Sequence, residues 1–262
     1  LFKILSTFFL TLLCATTVSA EENFHVLTQK NLPGQKGIFR TIEFKTTDQQ
    51  SVTLHAVTFN QQYHADFHLQ ENKIQFLADY LDALNLEHHF LVGINGGFYQ
   101  PDFTPVGLFI YQGKKIKSLS PSSLLKTCIV INKNQKVTLD TPITQCSKAD
   151  NAMQAGPLLI QDGKINNQLS YLSEKSTAMK DFFGPHKRTL LALTYDDRLL
   201  MVVTSPVTLI DLAHFLQKNP QAFGAKKIRL AVNLDGGSST GMYIRFPDQP
   251  FYFHELKHVK TF

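Results

Sequence analysis

The stretch "LLALTYDDRLLMVVT", residues 190–204, consists of two apolar runs on either side of a polar pair. Residues 190–195 and 198–204 have the length and the β-branched content of strands, and Asp196-Asp197 supplies turn-forming side chains between them. The stretch therefore predicts a β-hairpin.

Short strand-like segments recur on both sides of this hairpin. Residues 51–59 alternate, with Val52, Leu54 and Ala56 on one face. The other predicted strands are residues 90–95, 106–111, 127–131, 137–139, 157–160, 228–234 and 242–246. Turn-forming pairs separate many of these segments, which favours hairpin connections.

Two helices are predicted among the strands. Residues 71–86 carry an apolar stripe with helical spacing. A second helix begins at Thr208, where Asp211 takes the place of Glu in a capping box, and it ends at Asn219-Pro220. This order predicts an α+β fold, with one domain over residues 21–262 built on a mainly antiparallel or mixed sheet.

The first twenty residues have the pattern of a secretory signal peptide. A basic residue, Lys3, precedes an apolar run over residues 4–13, and Val18-Ser19-Ala20 is typical of a cleavage site. An uncleaved N-terminal anchor is the alternative. We expect residues 1–20 to be removed, and the mature chain to be secreted or periplasmic, with no stable membrane span.

Composition and cysteine content agree with an exported globular protein. The chain has 262 residues, of which 43% are hydrophobic and 18% charged, and its formal net charge is +5. It has no long run of Lys and Arg, so we expect no nucleic-acid partner. Removal of the signal removes Cys14 and leaves Cys128 and Cys146, for which we predict a disulfide. Two buried free thiols are the alternative.

Glycine-rich polar segments adjoin four of the predicted strands. They are Asn95-Gly96-Gly97-Phe98-Tyr99, Ala155-Gly156-Pro157, His186-Lys187-Arg188-Thr189 and Asp235-Gly236-Gly237-Ser238-Ser239-Thr240. Glycines allow backbone N–H groups to approach a ligand closely, and successive N–H groups bind anions. Together the segments predict a polar pocket at the ends of the sheet strands.

Two other motifs suggest different chemistry. Residues 237–241 read G-x-S-x-G, but a strand is predicted after them, whereas a hydrolase elbow requires a helix. His254, Glu255 and His258 form H-E-x-x-H, a zinc-peptidase pattern when it lies on a helix. Pro247 and Pro250 precede it and favour a non-helical segment, so we expect no metal site there.

Four segments in this order resemble the phosphodiester glycosidase family: "GINGGFYQPDFTPVGLFIYQGK", "QAGPLLIQDGK", "HKRTLLALTYDDRLLMVVT" and "AVNLDGGSST". The resemblance covers roughly residues 93–244. It implies an enzyme that hydrolyses the bond between a sugar's anomeric carbon and a phosphate oxygen. The expected substrate is an anionic glycan or another sugar-phosphodiester. We expect the enzyme to use no cofactor.

The resemblance and the residue chemistry together assign the candidate roles. Asp235 is the candidate carboxylate, and its alternative roles are to attack the anomeric carbon, to activate water or only to hold sugar hydroxyls. Arg188 is the candidate phosphate ligand, and Asn95 is expected to hydrogen-bond the sugar or phosphate. Asp102 is the second candidate for a catalytic carboxylate, after Asp235. The candidate substrate-binding residues are Gly96, Gly97, Phe98, Tyr99, Gly156, Gly236, Gly237, Ser238, Ser239 and Thr240. The alternatives are a non-catalytic carbohydrate-binding or envelope-assembly module and, through H-E-x-x-H, a zinc peptidase.

Overall fold

The computed structural model describes residues 24–60, 63–68, 91–141 and 143–254. The strands are β1 (Phe24–Asn31), β2 (Gly37–Lys45), β3 (Ser51–Phe59), β4 (Val92–Ile94), β5 (Phe109–Tyr111), β6 (Lys114–Lys117), β7 (Thr127–Ile131), β8 (Val137–Asp140), β9 (Asn151–Ala155), β10 (Leu158–Gln161), β11 (Lys164–Ile165), β12 (His186–Thr194), β13 (Leu199–Val207), β14 (Ile228–Asn233), β15 (Gly241–Ile244) and β16 (Phe251–His254). The α-helices are α1 (Gln168–Glu174), α2 (Thr177–Phe183) and α3 (Leu209–Lys218).

The predicted hairpin lies inside the largest sheet. That sheet has eight strands in the order β1-β2-β3-β13-β12-β14-β10-β11, and neighbouring strands pair antiparallel. Strands β12 and β13 pair with Leu190 opposite Val202; β12 begins before the predicted residue 190, and β13 continues beyond the predicted residue 204. The antiparallel α+β prediction is confirmed.

The eight-stranded sheet is covered on both faces. Leu190 and Ala192 of β12 belong to one apolar core, which α3 completes with side chains such as Leu212. Leu191 and Leu193 belong to a second core on the other face, which the smaller sheets complete. Burial on both faces explains why these strands read as nearly continuous apolar runs.

Two smaller sheets pack against the second core. One has five strands in the order β6-β5-β9-β7-β8, and the other has three in the order β16-β15-β4. On its outer side the five-stranded sheet carries a further small core that includes Cys128 and Cys146. These cysteines form the predicted disulfide, with their Cα atoms 6.1 Å apart. The bond links β7 to a short 3-10 turn and contributes about 3 kcal/mol in the chain-entropy model.

Helix α3 begins and ends where the sequence predicts. The Thr208 hydroxyl accepts the Asp211 N–H at 3.0 Å and donates to the Asp211 carboxylate at 2.6 Å. Helices α1 and α2 were not predicted because each has only seven residues, too few for a helical period to repeat clearly. The predicted helix over residues 71–86 lies outside the described residues. In the part of the chain described here, no helix has the length and hydropathy of a membrane span.

The 233–244 stretch connects two sheets and is not a hairpin. Strand β14 ends at Asn233 in the eight-stranded sheet, whereas β15 begins at Gly241 in the three-stranded sheet. Between them, residues 237–239 form one 3-10 turn. The polar turn therefore lies where the large sheet meets a small one.

Candidate functional site

Two of the glycine-rich segments are hydrogen-bonded to each other. The Asp235 N–H donates to the Gly96 carbonyl oxygen at 3.2 Å. In return, Asn95 Nδ2 donates to the Asp235 carbonyl oxygen at 2.9 Å. The turn after β4 and the turn after β14 thus lie side by side.

Asn95 is buried at the centre of this junction, with 1% of its surface exposed. Its side-chain oxygen accepts the Thr189 hydroxyl at 2.6 Å and the Gly241 N–H at 3.0 Å. The donors and acceptors of the amide are therefore used within the protein. We assign Asn95 a positioning role in place of the substrate contact expected from the sequence. Thr189, within the predicted His186–Thr189 segment, is a positioning residue that sequence reasoning left without a role.

The two glycines after Asp235 are needed for different reasons. A Cβ on Gly236 would lie 2.6 Å from the Lys187 carbonyl oxygen, so the turn can pack on β12 only without a side chain there. Gly237 has a φ of 61°, and a Cβ on it would face open space. The N–H groups of Gly237 and Ser238 donate to no described residue. Two backbone donors therefore remain for a ligand.

The Asp235 carboxylate is half-buried beside these donors and accepts the Gly236 N–H at 2.9 Å. Burial raises the pKa of Asp235 to about 6, while the Ser239 hydroxyl and the Gly236 N–H act in the opposite direction by stabilising the carboxylate. At neutral pH the group is mainly ionised, but it takes up a proton close to that pH. This is the behaviour expected of an acid-base or nucleophilic carboxylate.

The hydroxyl groups around the turn differ in accessibility. Ser238 is exposed, whereas Ser239 and Thr240 are buried. The Ser239 oxygen lies 3.4 Å from the Tyr99 hydroxyl, and the Tyr99 ring stacks on Phe103 with centroids 5.7 Å apart. The Thr240 hydroxyl is buried, and no hydrogen-bond partner for it is present in the described ranges.

Arg188 is held by backbone carbonyls and is only 2% exposed. Its Nε donates to the Val207 oxygen at 3.2 Å, and its Nη2 donates to the carbonyl oxygens of Phe182 and Gly184. Burial lowers the pKa of Arg188 to about 10, so it stays charged at neutral pH. Within the described residues no ion pair joins it to Asp235. The geometry thus gives Arg188 a role in fixing the end of α2, and its contact with a phosphate stays a prediction.

An aromatic contact links this arginine to the glycine-rich segment. Phe182, the penultimate residue of α2, lies with its ring 5.9 Å from the Arg188 guanidinium and 5.9 Å from the Phe98 ring. Phe98 and Gly97 also line a small pocket beside Met153 and Gln154 of β9. Sequence reasoning missed Phe182 because its helix was not predicted.

Gly156 precedes β10, which pairs with β14, and it packs against the Leu124 carbonyl so closely that a Cβ would not fit. The Asn233 amide points towards the Gly156 oxygen at 3.5 Å. The Ala155-Gly156-Pro157 segment therefore adjoins the residue two positions before Asp235. It supports the base of the polar turn.

The remaining candidates are placed as follows. Asp102 is fully exposed and accepts the N–H and the hydroxyl of Thr104, so it caps a turn; those bonds lower its pKa. His254 ends strand β16, whereas a zinc H-E-x-x-H motif requires a helix. Glu255 and His258 lie outside the described residues. Residues 237–241 lead into β15, so the helix of a hydrolase elbow does not follow them.

The fold and the clustered turns define a layered, antiparallel α+β protein with a carboxylate in a glycine-rich polar turn. The model of the family described as phosphodiester glycosidase matches residues 88–261, and the chain belongs to that family. No protein of curated function matches the sequence.

Two solved structures share the fold. The catalytic domain of zebrafish N-acetylglucosamine-1-phosphodiester alpha-N-acetylglucosaminidase, auto-inhibited by its pro-peptide, is 14% identical, with a TM-score of 0.59 over 91% of this chain and 84% of its own. A hypothetical protein from Synechocystis is 15% identical, with a TM-score of 0.52 over 86% of this chain and 60% of its own. At these identities the likeness concerns the fold.

Proposed function

We propose that the protein is an exported glycosidase that hydrolyses a sugar-1-phosphodiester in a glycan or cell-envelope component, between the anomeric carbon and the phosphate oxygen. The observation that carries this proposal is the turn at residues 235–239. It presents a half-buried carboxylate with a pKa of about 6 next to two backbone N–H groups that donate to no described residue. Family membership supports the reaction class.

The reaction places opposite demands on the two sides of the broken bond. The anomeric carbon gains positive charge as its bond to oxygen breaks, and the bonding electrons leave with the phosphate. A phosphomonoester is stable as an anion, so its departure does not require a strong general acid. Hydrogen-bond donors that stabilise its charge are sufficient.

In its ionised form, Asp235 suits the anomeric carbon, where positive charge develops as the bond breaks. As a base it takes a proton from the water that attacks the anomeric carbon. As a nucleophile it bonds to that carbon, and water releases the sugar in a second step. Inversion of the anomeric configuration indicates the first role and retention the second.

The N–H groups of Gly237 and Ser238 suit the phosphate side. They are adjacent in sequence and sit at the turn where Gly237 adopts a positive φ, an arrangement that binds anions. Arg188 contributes a buried positive charge on the neighbouring strand and fixes Phe182 against Phe98. We assign the sugar ring to the side of the site lined by Phe98 and Tyr99, since aromatic rings pack well against sugar C–H faces.

Export is part of the proposal. A disulfide between Cys128 and Cys146 fits an oxidising compartment such as the periplasm or the extracellular medium. Expression of the whole chain with its first twenty residues, followed by N-terminal sequencing of the exported product, tests cleavage after Ala20. An intact N-terminus in the cell-associated fraction indicates an anchor.

The activity is tested by incubating purified protein with a panel of sugar-1-phosphodiesters and isolated envelope polymers. Mass spectrometry then identifies any free sugar and phosphomonoester. Release of both products by the wild type, and not by Asp235→Asn, supports the proposal. Glycan binding without release, unaffected by that substitution, indicates the non-catalytic module, and loss of activity with a chelator indicates a metal enzyme.

A further inference from the structure

Phe98 and Phe182 form an aromatic pair in the neighbourhood of the polar turn. Their ring centroids are 5.9 Å apart, and both residues are only partly buried. Phe183, the next residue of α2, is instead 3% exposed and belongs to the apolar core. We propose that Phe182 is a substrate-binding residue that forms, together with Phe98, the apolar wall against which the sugar of the phosphodiester packs.

Main-chain hydrogen bonds connect the Phe98 end of the pair to the polar turn. Phe98 lies two residues after Gly96, whose carbonyl oxygen accepts the Asp235 N–H at 3.2 Å. The Phe98 carbonyl oxygen in turn accepts the Val106 N–H at 3.0 Å. The backbone that carries the Phe98 ring is therefore fixed relative to the Asp235 turn.

The Phe182 end of the pair is fixed from strand β12. Arg188 donates hydrogen bonds to the carbonyl oxygens of Phe182 and Gly184, and its guanidinium lies 5.9 Å from the Phe182 ring. The Cα of Arg188 is also 3.9 Å from the point that a Cβ on Gly236 would occupy. One residue of β12 thus contacts both the end of α2 and the polar turn, which places Phe182 beside the candidate site.

The shape and the surroundings of the pair suit a sugar ring. The two ring planes are inclined by 54°, so one flat molecule cannot lie on both rings at once. A sugar can place its apolar C–H face on one ring and an exocyclic group on the other. Because the backbone donors and the carboxylate of the turn adjoin the pair, the occupant needs polar groups as well as an apolar face. A sugar has both, whereas an alkyl chain has only the second.

The inference rests on the proposed function for the identity of the ligand, but it is tested by binding alone. Glucose 1-phosphate, N-acetylglucosamine 1-phosphate and inorganic phosphate are each titrated into the purified protein and followed by calorimetry. Phe182→Leu should weaken the binding of the preferred sugar 1-phosphate by about tenfold, because it removes an aromatic face from the sugar. The affinity for inorganic phosphate should change by less than about twofold, because phosphate alone does not reach the aromatic pair.

Further variants separate a direct contact from a structural role. Phe182→Tyr keeps the ring and should keep the wild-type affinity, and Phe182→Met replaces the main variant if thermal melts show that Phe182→Leu folds poorly. The matched control is Tyr171→Leu, which removes an exposed aromatic ring from the neighbouring helix α1 and should have no effect. Equal weakening of phosphate and sugar 1-phosphate by Phe182→Leu would mean that Phe182 only braces the end of α2, and would overturn the inference. So would failure of the wild type to bind either sugar 1-phosphate.

Hydrolysis gives a separate readout of the same contact. On a sugar-1-phosphodiester that the wild type cleaves, Phe182→Leu should raise KM by about tenfold and leave kcat nearly unchanged, because the sugar is held alike in the ground state and the transition state. Binding of a sugar 1-phosphate through Phe182 without hydrolysis of any diester would reject the proposed function and leave the inference standing. Hydrolysis with the same KM in the wild type and in Phe182→Leu would do the reverse.

Discussion

Asn95 and Asp235 are joined by a 2.9 Å hydrogen bond from the Asn95 amide to the Asp235 carbonyl oxygen, across 140 residues of sequence. The same amide accepts hydrogen bonds from Thr189 on β12 and from Gly241 at the start of β15. One buried side chain therefore connects strand β12, the turn after β14 and the start of β15, which belong to two sheets. The position of the Asp235 carboxylate depends on that junction.

Substitution of Asp235 by Asn should lower kcat/KM on a sugar-1-phosphodiester by at least about 100-fold, because the amide can neither accept a proton nor attack carbon. The amide oxygen still accepts the Gly236 N–H, so the turn should keep its shape. The matched control is Asp102→Asn, which changes an exposed turn-capping carboxylate. Equal activity of both variants and the wild type would show that Asp235 takes no part in the reaction.

The pH dependence of kcat/KM should show one acid limb near pH 6. Burial raises the pKa of Asp235 to about 6, and the proposed reaction uses the ionised form. Activity should therefore be high above this value and fall about tenfold for each pH unit well below it. A rate that increases as the pH falls through 6 would instead make Asp235 a general acid.

The same raised pKa predicts that Asp235→Asn stabilises the protein at neutral pH. Because the pKa of this Asp is higher in the folded state than its ordinary value of 3.8, its contribution to stability is present at low pH and is lost as the pH rises towards 6. The loss is up to about 3 kcal/mol. Thermal melts at pH 7.5 should show a higher Tm for Asp235→Asn than for the wild type, and the difference should largely vanish at pH 4. An equal difference at both pH values would argue against burial as the cause.

Arg188→Ala should weaken the fold as well as the activity. The substitution leaves three carbonyl oxygens, those of Phe182, Gly184 and Val207, without their buried donor. We expect the free energy of unfolding to fall by about 3 kcal/mol in urea denaturation, and Arg188→Lys to recover part of it. The control, Arg229→Ala, breaks an exposed ion pair with Asp197 and should change stability by less than about 1 kcal/mol. If Arg188→Ala keeps wild-type stability but loses activity, the result would indicate that Arg188 contacts the phosphate directly.

The two glycines after Asp235 should differ in their tolerance of a methyl group. Gly236→Ala places a Cβ against the Lys187 carbonyl and should displace the turn from β12, with a large loss of both stability and activity. The Cβ of Gly237→Ala would face open space. This substitution should lower the free energy of unfolding by only about 1 kcal/mol, because an alanine is less favourable than glycine at a positive φ. Urea midpoints and kcat/KM of the two variants measure the difference. The reverse order would mean that the turn has another conformation in solution.

The sequence predicted the parts of the fold whose patterns repeat. The 190–204 hairpin, the Ser51–Phe59 strand and the helix begun by Thr208 each contain several periods or a capping signal, and all three are present. Helices α1 and α2 are only two turns long, which is too short for an apolar period to repeat. Strand β1 is exposed along most of its length, so its sequence does not alternate between apolar and polar residues. Local patterns also could not show that β14 and β15 belong to different sheets.

Segments of the site were predictable, but the directions of its side chains were not. The glycine pairs marked the turns around Asn95 and Asp235, because close backbone packing leaves a sequence signature. The sequence favoured Arg188 as a free phosphate ligand, yet Phe182 of α2, the following Gly184 and Val207 of β13 supply three carbonyl acceptors that no motif reveals. The Tyr99–Ser239 contact joins segments 140 residues apart and emerges only from the packing of the sheets.

The measurement that tests the central claim most directly is hydrolysis of a sugar-1-phosphodiester in ¹⁸O-labelled water, with the released phosphomonoester read by ³¹P NMR and mass spectrometry. If Asp235 promotes attack of water at the anomeric carbon, the phosphomonoester contains no ¹⁸O, and Asp235→Asn releases almost none of it. Incorporation of ¹⁸O into the phosphate would show that the phosphorus–oxygen bond is cleaved, which would contradict a glycosidase built around this carboxylate.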